Sequence, residues 1–215
     1  MENSIFKDLK KQMFEYDEDK IKETILESLK RNISPLETIK VLTECISEIG
    51  DRFEKEELWL PDLMIAAKTM QVAIEPLELE IKKKGLKKES MGKVVIGTVI
   101  GDLHSIGKSM VATMLSAGGF EVIDLGVNVS SDAFIKSIKD YSPDVLAMSA
   151  LLTTTASEQK KVITALEKEG LRNKVKIIVG GGPITKEFAE EIGADGYEPT
   201  APLAAKLVKR LLQIK

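Results

Sequence analysis

The chemistry available to this chain converges on a single imidazole. His104 is the only histidine among 215 residues, so any step that needs an imidazole base or ligand passes through it. It stands in Gly101-Asp102-Leu103-His104-Ser105-Ile106-Gly107, two residues after an acid. In an Asp-x-His pair the carboxylate accepts a hydrogen bond from one ring nitrogen, fixes the tautomer and leaves the other lone pair free. A histidine metal ligand needs that arrangement. A closed protein zinc site takes three or four Cys, His or carboxylate ligands, and the chain offers one His. Cys45, the one cysteine, falls on the apolar stripe of a helical pattern and reads as core. A metal held by His104 would therefore arrive inside a cofactor.

Other chemistries fit these residues poorly. GDLHSIGKS has five residues between Gly101 and Gly107, whereas the phosphate-cradling GxxxxGK[ST] loop has four, and Asp102 would repel phosphate. The dinucleotide pattern GxGxxG does not follow the first strand, and no GxSxG turn accompanies His104 with Asp102 and Ser105. A phospho-accepting receiver domain would cluster acids at its first strand, where Asp102 stands without such a cluster.

The elements that position His104 are legible in two grammars. Up to about residue 85 the spacing is helical: Ile21, Ile25, Leu26 and Leu29 share one face, and Ile39, Leu42, Ile46 and Ile49 another. Ser34-Pro35-Leu36-Glu37 opens the second of these helices with a cap, a first-turn proline and a capping-box acid. A further helix starts near Pro61-Asp62, carries Leu63, Met64, Ala67 and Met70, and should kink or end at Pro76. Four helices packed as a bundle are expected over 1–88. The lysine-rich stretch 82–90 reads as a solvated linker.

After it the pattern alternates five times. The short β-branched or apolar runs 93–100, 121–126, 144–150, 174–181 and 195–197 are each followed by a helical segment. The expected fold class is α/β: an N-terminal four-helix bundle, then a Rossmann-like, flavodoxin-like domain over 89–215 with a five-stranded parallel sheet. In strand order 2-1-3-4-5 the reversal lies between the first and third strands, and ligands bind beyond the carboxyl ends of strands at such a point. That locates the site at GDLHSIG (101–107) and SALLTTT (149–155), with GGGP (180–183) beside them.

Composition bounds the partners. Thirty-one basic residues against thirty-four acidic ones give a net charge of −3, with no broad field for nucleic acid. No apolar run approaches the ~20 residues that span a bilayer, and the polar N-terminal stretch does not read as a secretory signal. With one cysteine, the expectation is a cytoplasmic protein that engages neither nucleic acid nor membrane.

At these residues the sequence resembles the cobalamin-binding corrinoid proteins of methyltransferase systems, and more distantly the cobalamin module of methionine synthase. Asp102-Leu103-His104-Ser105-Ile106-Gly107 matches the DxHxxG motif, Ser149-Ala150-Leu151 the SxL motif and Gly180-Gly181 the GG motif. Gly126-Val127-Asn128-Val129, Arg52-Phe53 and Leu60-Pro61-Asp62-Leu63-Met64 match as well. The ordered set is specific where one motif would not be, and the likeness covers nearly the whole chain.

The resemblance implies that His104 replaces the cofactor's own dimethylbenzimidazole beneath cobalt, held by Asp102 with Thr155 as third member of the relay. Ser105, Ile106 and Gly107 would belong to the same cofactor-binding loop. It implies that Ser149, Leu151 and Thr153 line the channel for the displaced nucleotide tail, while Gly180 and Gly181 let the backbone pass close to it. The helical half would cover the upper corrin face through Trp59, Leu60 and Leu63, unless those residues belong to the bundle core. The implied activity is methyl shuttling between cob(I)alamin and methylcob(III)alamin states. A substrate-specific methyltransferase would load the carrier, a second methyltransferase would pass the group to a thiol or a folate, and a reductive activase would be a further partner. Such a chain is a carrier subunit without catalysis of its own. The alternatives are a cobalamin-responsive regulator, disfavoured without a basic recognition helix, and the cobalamin-binding subunit of a mutase, disfavoured by the helical cap.

Overall fold

The computed structural model describes residues 2–86 and 90–214. The chain divides into two compact units, Met1–Glu89 and Ser90–Lys215.

The first unit is four helices: α1 (Glu2–Phe14), α2 (Glu18–Lys30), α3 (Pro35–Glu54) and α4 (Leu60–Lys83). Each helix places an apolar stripe inward, and Leu9, Met13, Ile21, Ile25, Leu42, Ile49, Leu63, Met70 and Leu77 are almost wholly buried. Burying side chains of this size contributes ~1.5–3 kcal/mol apiece. Ser34 caps α3 by accepting from the Glu37 amide, with Pro35 in the first turn. Cys45 lies in this core, where burial pushes its thiol up to about 11.

Three expectations differ from the structure. Of the two outcomes expected at Pro76, a kink or an end, the end does not occur: the helix runs on to Lys83, because burial of Leu77 and Ile81 outweighs the missing proline donor. Lys82 and Lys83 accordingly belong to α4 and not to a linker, while residues 87–89 of that stretch lie outside the described residues. Leu26 and Met64, expected on apolar faces, are exposed, since the buried stripes are narrower than the apolar runs.

The second unit alternates strand and helix: β1 (Lys93–Thr98), α5 (Ile106–Ala117), β2 (Glu121–Asp124), α6 (Ser131–Tyr141), β3 (Val145–Ser149), α7 (Thr153–Lys168), β4 (Lys176–Gly180), α8 (Lys186–Glu191), β5 (Gly196–Tyr197) and α9 (Ala201–Leu211). A single turn of 3-10 helix, Arg172–Lys174, precedes β4. The strands are parallel in the order β2-β1-β3-β4-β5, so the direction of winding reverses between β1 and β3.

Both faces of the sheet are covered. Val95, Leu146, Met148, Ile177 and Val179 pack against Phe134 of α6 and Val162, Ile163 and Leu166 of α7. Val94, Ile96, Val145, Ala147 and Ile178 pack against Leu115 of α5 and Leu207 and Val208 of α9. Strand alternation then decides what lies at the carboxyl edge. One step past Ile96, Ala147 and Ile178 on that second face come register partners Thr98, Ser149 and Gly180, a row of small residues. No helix among the described residues is long and apolar enough to cross a membrane.

Candidate functional site

Asp102 is the centre of the site. It follows β1 after a turn in which its amide donates to Val99 O (3.2 Å), and its side chain is fully buried. Oδ1 accepts from the His104 backbone amide (3.0 Å) and faces His104 Nδ1 at 2.7 Å. Oδ2 accepts from the amides of Leu151 (2.8 Å) and Leu152 (3.2 Å) and from the Thr155 hydroxyl (2.7 Å). Burial alone would raise the pKa of this carboxyl. The hydrogen bonds from Thr155, from the His104 amide and ring and from Leu151 outweigh it and hold the group well below the usual carboxylate range.

An ionised carboxylate only accepts, so the proton of the neutral imidazole sits on Nδ1 and Nε2 keeps its lone pair. The His104 side chain is 51% exposed although Asp102 is 0% exposed, which leaves the ring accessible on the side away from its brace. The Thr98 hydroxyl donates to His104 O at 3.0 Å and fixes the backbone beneath the ring.

Asp102 also ties down the entry to α7. Leu152 occupies the N-cap position and has no capping side chain; Asp102 holds its amide and that of Leu151, just before the helix, and the hydroxyl of Thr155 in the first turn. The helix starts at Thr153, inside what reads locally as loop, and its first turn carries Thr155 inward.

Of the residues singled out from sequence, Asp102, His104, Thr155 and the backbone of Leu151 come together in one hydrogen-bonded cluster. Ser149 ends β3, between Thr98 and Gly180 in register. Ser105, Ile106, Gly107 and Thr153 are exposed at the same edge of the sheet without joining that cluster, and so is the side chain of Leu151. Ser105 occupies the N-cap position of α5 but makes no side-chain cap bond.

The two glycines differ in kind. A Cβ on Gly180 would meet nothing within 4 Å, so the shelf beside Ser149 is open. A Cβ on Gly181 would lie 1.8 Å from Ala150 O, at φ +131°. Gly181 is thus required by the chain's own backbone, a reason separate from any room the two glycines would make for a ligand. Among the cap residues, Leu63 is 1% exposed and belongs to the bundle core, whereas Trp59 and Leu60 are 77% and 51% exposed.

Several contributors were not singled out from sequence. Leu103 and Leu152 stand exposed beside Ile106 and Leu151, and the four make an apolar rim around His104. Gln159 is buried and bridges Met148 O and Gly180 O from its Nε2, both at 3.1 Å, tying β3 to β4 at the site. Lys108, buried in the first turn of α5, pairs with Asp124 at the end of β2. Asn128, in sequence only one member of a matching stretch, bonds to Gly101 and Asp102.

These features suit a corrinoid. A donor nitrogen stands on an accessible ring, apolar side chains surround it, and an open shelf of small residues runs along the sheet edge. A doubly wound sheet that braces its one histidine in this way at the switch point defines a cofactor-binding α/β module.

Comparison with known proteins identifies which module. Two family models, each described as a B12 binding domain, match residues 92–206 and 5–78. The chain is 38% identical over 211 residues to the corrinoid protein DSY3155 of Desulfitobacterium hafniense, covering 97% of this chain and 98% of that one. It is 40% identical over 200 residues to trimethylamine corrinoid protein 2 of Methanosarcina acetivorans, covering 93% and 92%. Among solved structures, the methanol:cobalamin methyltransferase complex MtaBC of Methanosarcina barkeri aligns with a TM-score of 0.84 at 26% identity, over 99% of this chain and 81% of that one. The protein belongs to the B12-binding corrinoid proteins of methyltransferase systems.

Proposed function

We propose that this protein is a methyl carrier in which His104 would hold the cobalt of a bound corrinoid. When bound, the corrinoid supplies a cobalt that accepts a methyl group and later yields it. The observation that carries the reading is the brace on His104, in which a buried, ionised Asp102 engages Nδ1 at 2.7 Å and leaves Nε2 to donate. In this reading Asp102 holds the imidazole in the ligating tautomer, and Thr155 holds Asp102. The shelf of Ser149 and Gly180, with Leu151 and Thr153 above it, receives the displaced nucleotide tail. Gly181 keeps the β4 loop against Ala150 so that the shelf stays shaped. Ser105, Ile106 and Gly107 form the wall on the α5 side, and the apolar rim of Leu103, Ile106 and Leu152 excludes water from the ligand bond.

The brace gives the chain a means of adjusting cobalt. A carboxylate that shares the Nδ1 proton raises the basicity of Nε2, and small shifts in that sharing favour or disfavour the lower ligand. A carrier that is loaded and then unloaded would need both conditions. The helical and sheet units then serve partner enzymes. A substrate-specific methyltransferase would load the carrier, a second methyltransferase would unload it to a thiol or folate, and a reductive activase would be a further partner. The likeness to a trimethylamine corrinoid protein and to a methanol:cobalamin methyltransferase complex supports a methyltransferase partner.

Reconstitution tests the reading. Wild-type protein loaded with hydroxocobalamin, reduced and mixed with candidate methyltransferases and isotopically labelled methyl donors should acquire label on the protein-bound corrinoid. His104→Ala should bind with an altered absorption spectrum and lose efficient loading. Identical spectra for the two proteins would remove His104 from its assigned role, and failure of every donor and enzyme class to label the carrier would remove the carrier role.

A further inference from the structure

We infer that Asn128 is a positioning residue that fixes the His104 brace from the β2–α6 loop, an inference that rests on the proposed ligation of cobalt by His104. Asn128 meets the site loop from outside its own strand. Its side-chain Oδ1 accepts from the Gly101 amide at 2.8 Å, and its own amide donates to Asp102 O at 3.0 Å. The two bonds grip the peptides on either side of this pair, the one entering Gly101 through its N–H and the one leaving Asp102 through its C=O, while the peptide between them is held by the Asp102 amide on Val99 O at 3.2 Å. Asp102 in turn has both carboxylate oxygens committed, one to His104 and one to α7. A rotation at residues 101–102 would therefore be transmitted to the imidazole.

The residue type suits the task. Asn128 holds φ at 56°, in the left-handed region that asparagine enters more readily than most side chains. Glycine would adopt that backbone equally well but has no acceptor for the Gly101 amide. The loop carrying Asn128 is itself anchored, since the Thr98 amide donates to Gly126 O at 3.0 Å and the Val129 amide to Thr98 O at 2.9 Å. Asn128 thus links β2's exit to the histidine loop from a rigid base. Asp102 is oriented from two directions, by α7 on one side and by Asn128 on the other.

The test uses three full-length proteins, wild type, Asn128→Gly and Asn128→Asp, loaded with hydroxocobalamin and reduced to Co(II). The fraction of cobalt carrying a protein nitrogen is read by electron paramagnetic resonance. Amide exchange at Gly101 is read by NMR in protein without corrinoid. Asn128→Gly keeps the backbone conformation, and it should lower the ratio of ligated to detached cobalt about fivefold, the factor that one lost hydrogen bond implies. The Gly101 amide should exchange about fivefold faster. Asn128→Asp retains an acceptor and should restore ligation to within about twofold of wild type. Ligation in Asn128→Gly equal to wild type overturns the role of Asn128 while leaving that of His104 intact, and so does a failure of Asn128→Asp to restore it. Wild-type protein whose cobalt keeps the cofactor's own base overturns both.

Discussion

Replacing Asp102 with asparagine exchanges one oxygen for an amino group at a point where every neighbour is a donor. In the native site Oδ1 faces two donors, the His104 amide at 3.0 Å and Nδ1 at 2.7 Å. Oδ2 faces three, Leu151 N, Leu152 N and the Thr155 hydroxyl. An asparagine side chain has one acceptor and one amino donor. With its oxygen toward α7, the amino group meets the His104 amide head-on and obliges Nδ1 to become an acceptor. The imidazole proton then moves to Nε2, which loses the lone pair it needs for cobalt. With the oxygen toward His104, the amino group confronts three donors instead. The first orientation sets the amino group against one fixed donor and the second against three, so the first prevails. A charge-assisted bond of ~1.5–3 kcal/mol is lost, and the ligating tautomer should be disfavoured roughly 10- to 150-fold. The assay is the ratio of protein-ligated to unligated Co(II) in Asp102→Asn, measured by electron paramagnetic resonance against wild type. A ratio equal to wild type would refute the claim that the carboxylate sets the imidazole.

Two further outcomes are expected. Gly180→Ala should fold as stably as wild type, because its Cβ has no neighbour within 4 Å, yet bind corrinoid more weakly; Gly181→Ala should melt well below it, because its Cβ would lie 1.8 Å from Ala150 O. Calorimetric melts with equilibrium dialysis of both variants check the pair, and equal behaviour would contradict it. Acid should expose the brace as well, since the Asp102 pKa is lowered in the folded protein against burial by its hydrogen bonds from Thr155, His104 and Leu151. The unfolded chain binds this proton at ~3.9 and the folded one only at lower pH, so the stabilisation is present above that value and fades as pH falls through the folded pKa. The gap in melting temperature between wild type and Asp102→Asn should accordingly narrow from about pH 6 to about pH 3. A gap independent of pH would show that charge contributes nothing there.

How far the sequence carries is clearest at particular residues. The β-branched runs at 93–98 and 176–180 and the amphipathic stretch 131–141 announce their elements, because their patterns are local. The site's address comes from topology, since alternation of strands and helices implies the switch point at which Asp102 and His104 lie. Features set by distant partners are not legible in this way. The residues that lead into α7 are held by Asp102, about fifty residues earlier. The need for glycine at 181 comes from Ala150 O on a neighbouring loop. Leu63, Leu60 and Trp59 look alike in sequence, yet only packing buries the first and leaves the other two exposed. Asn128 has its signal in the matching stretch, but its bonds to Gly101 and Asp102 require the third dimension.

The identity of the nitrogen beneath cobalt is the decisive point. Protein labelled uniformly with the spin-one-half isotope of nitrogen, loaded with unlabelled hydroxocobalamin and reduced to Co(II), reports it directly in the superhyperfine pattern of its electron paramagnetic resonance spectrum. Ligation by His104 predicts each cobalt line split into a doublet. A triplet would mean that the cofactor's own base remains bound, and would contradict ligation by His104.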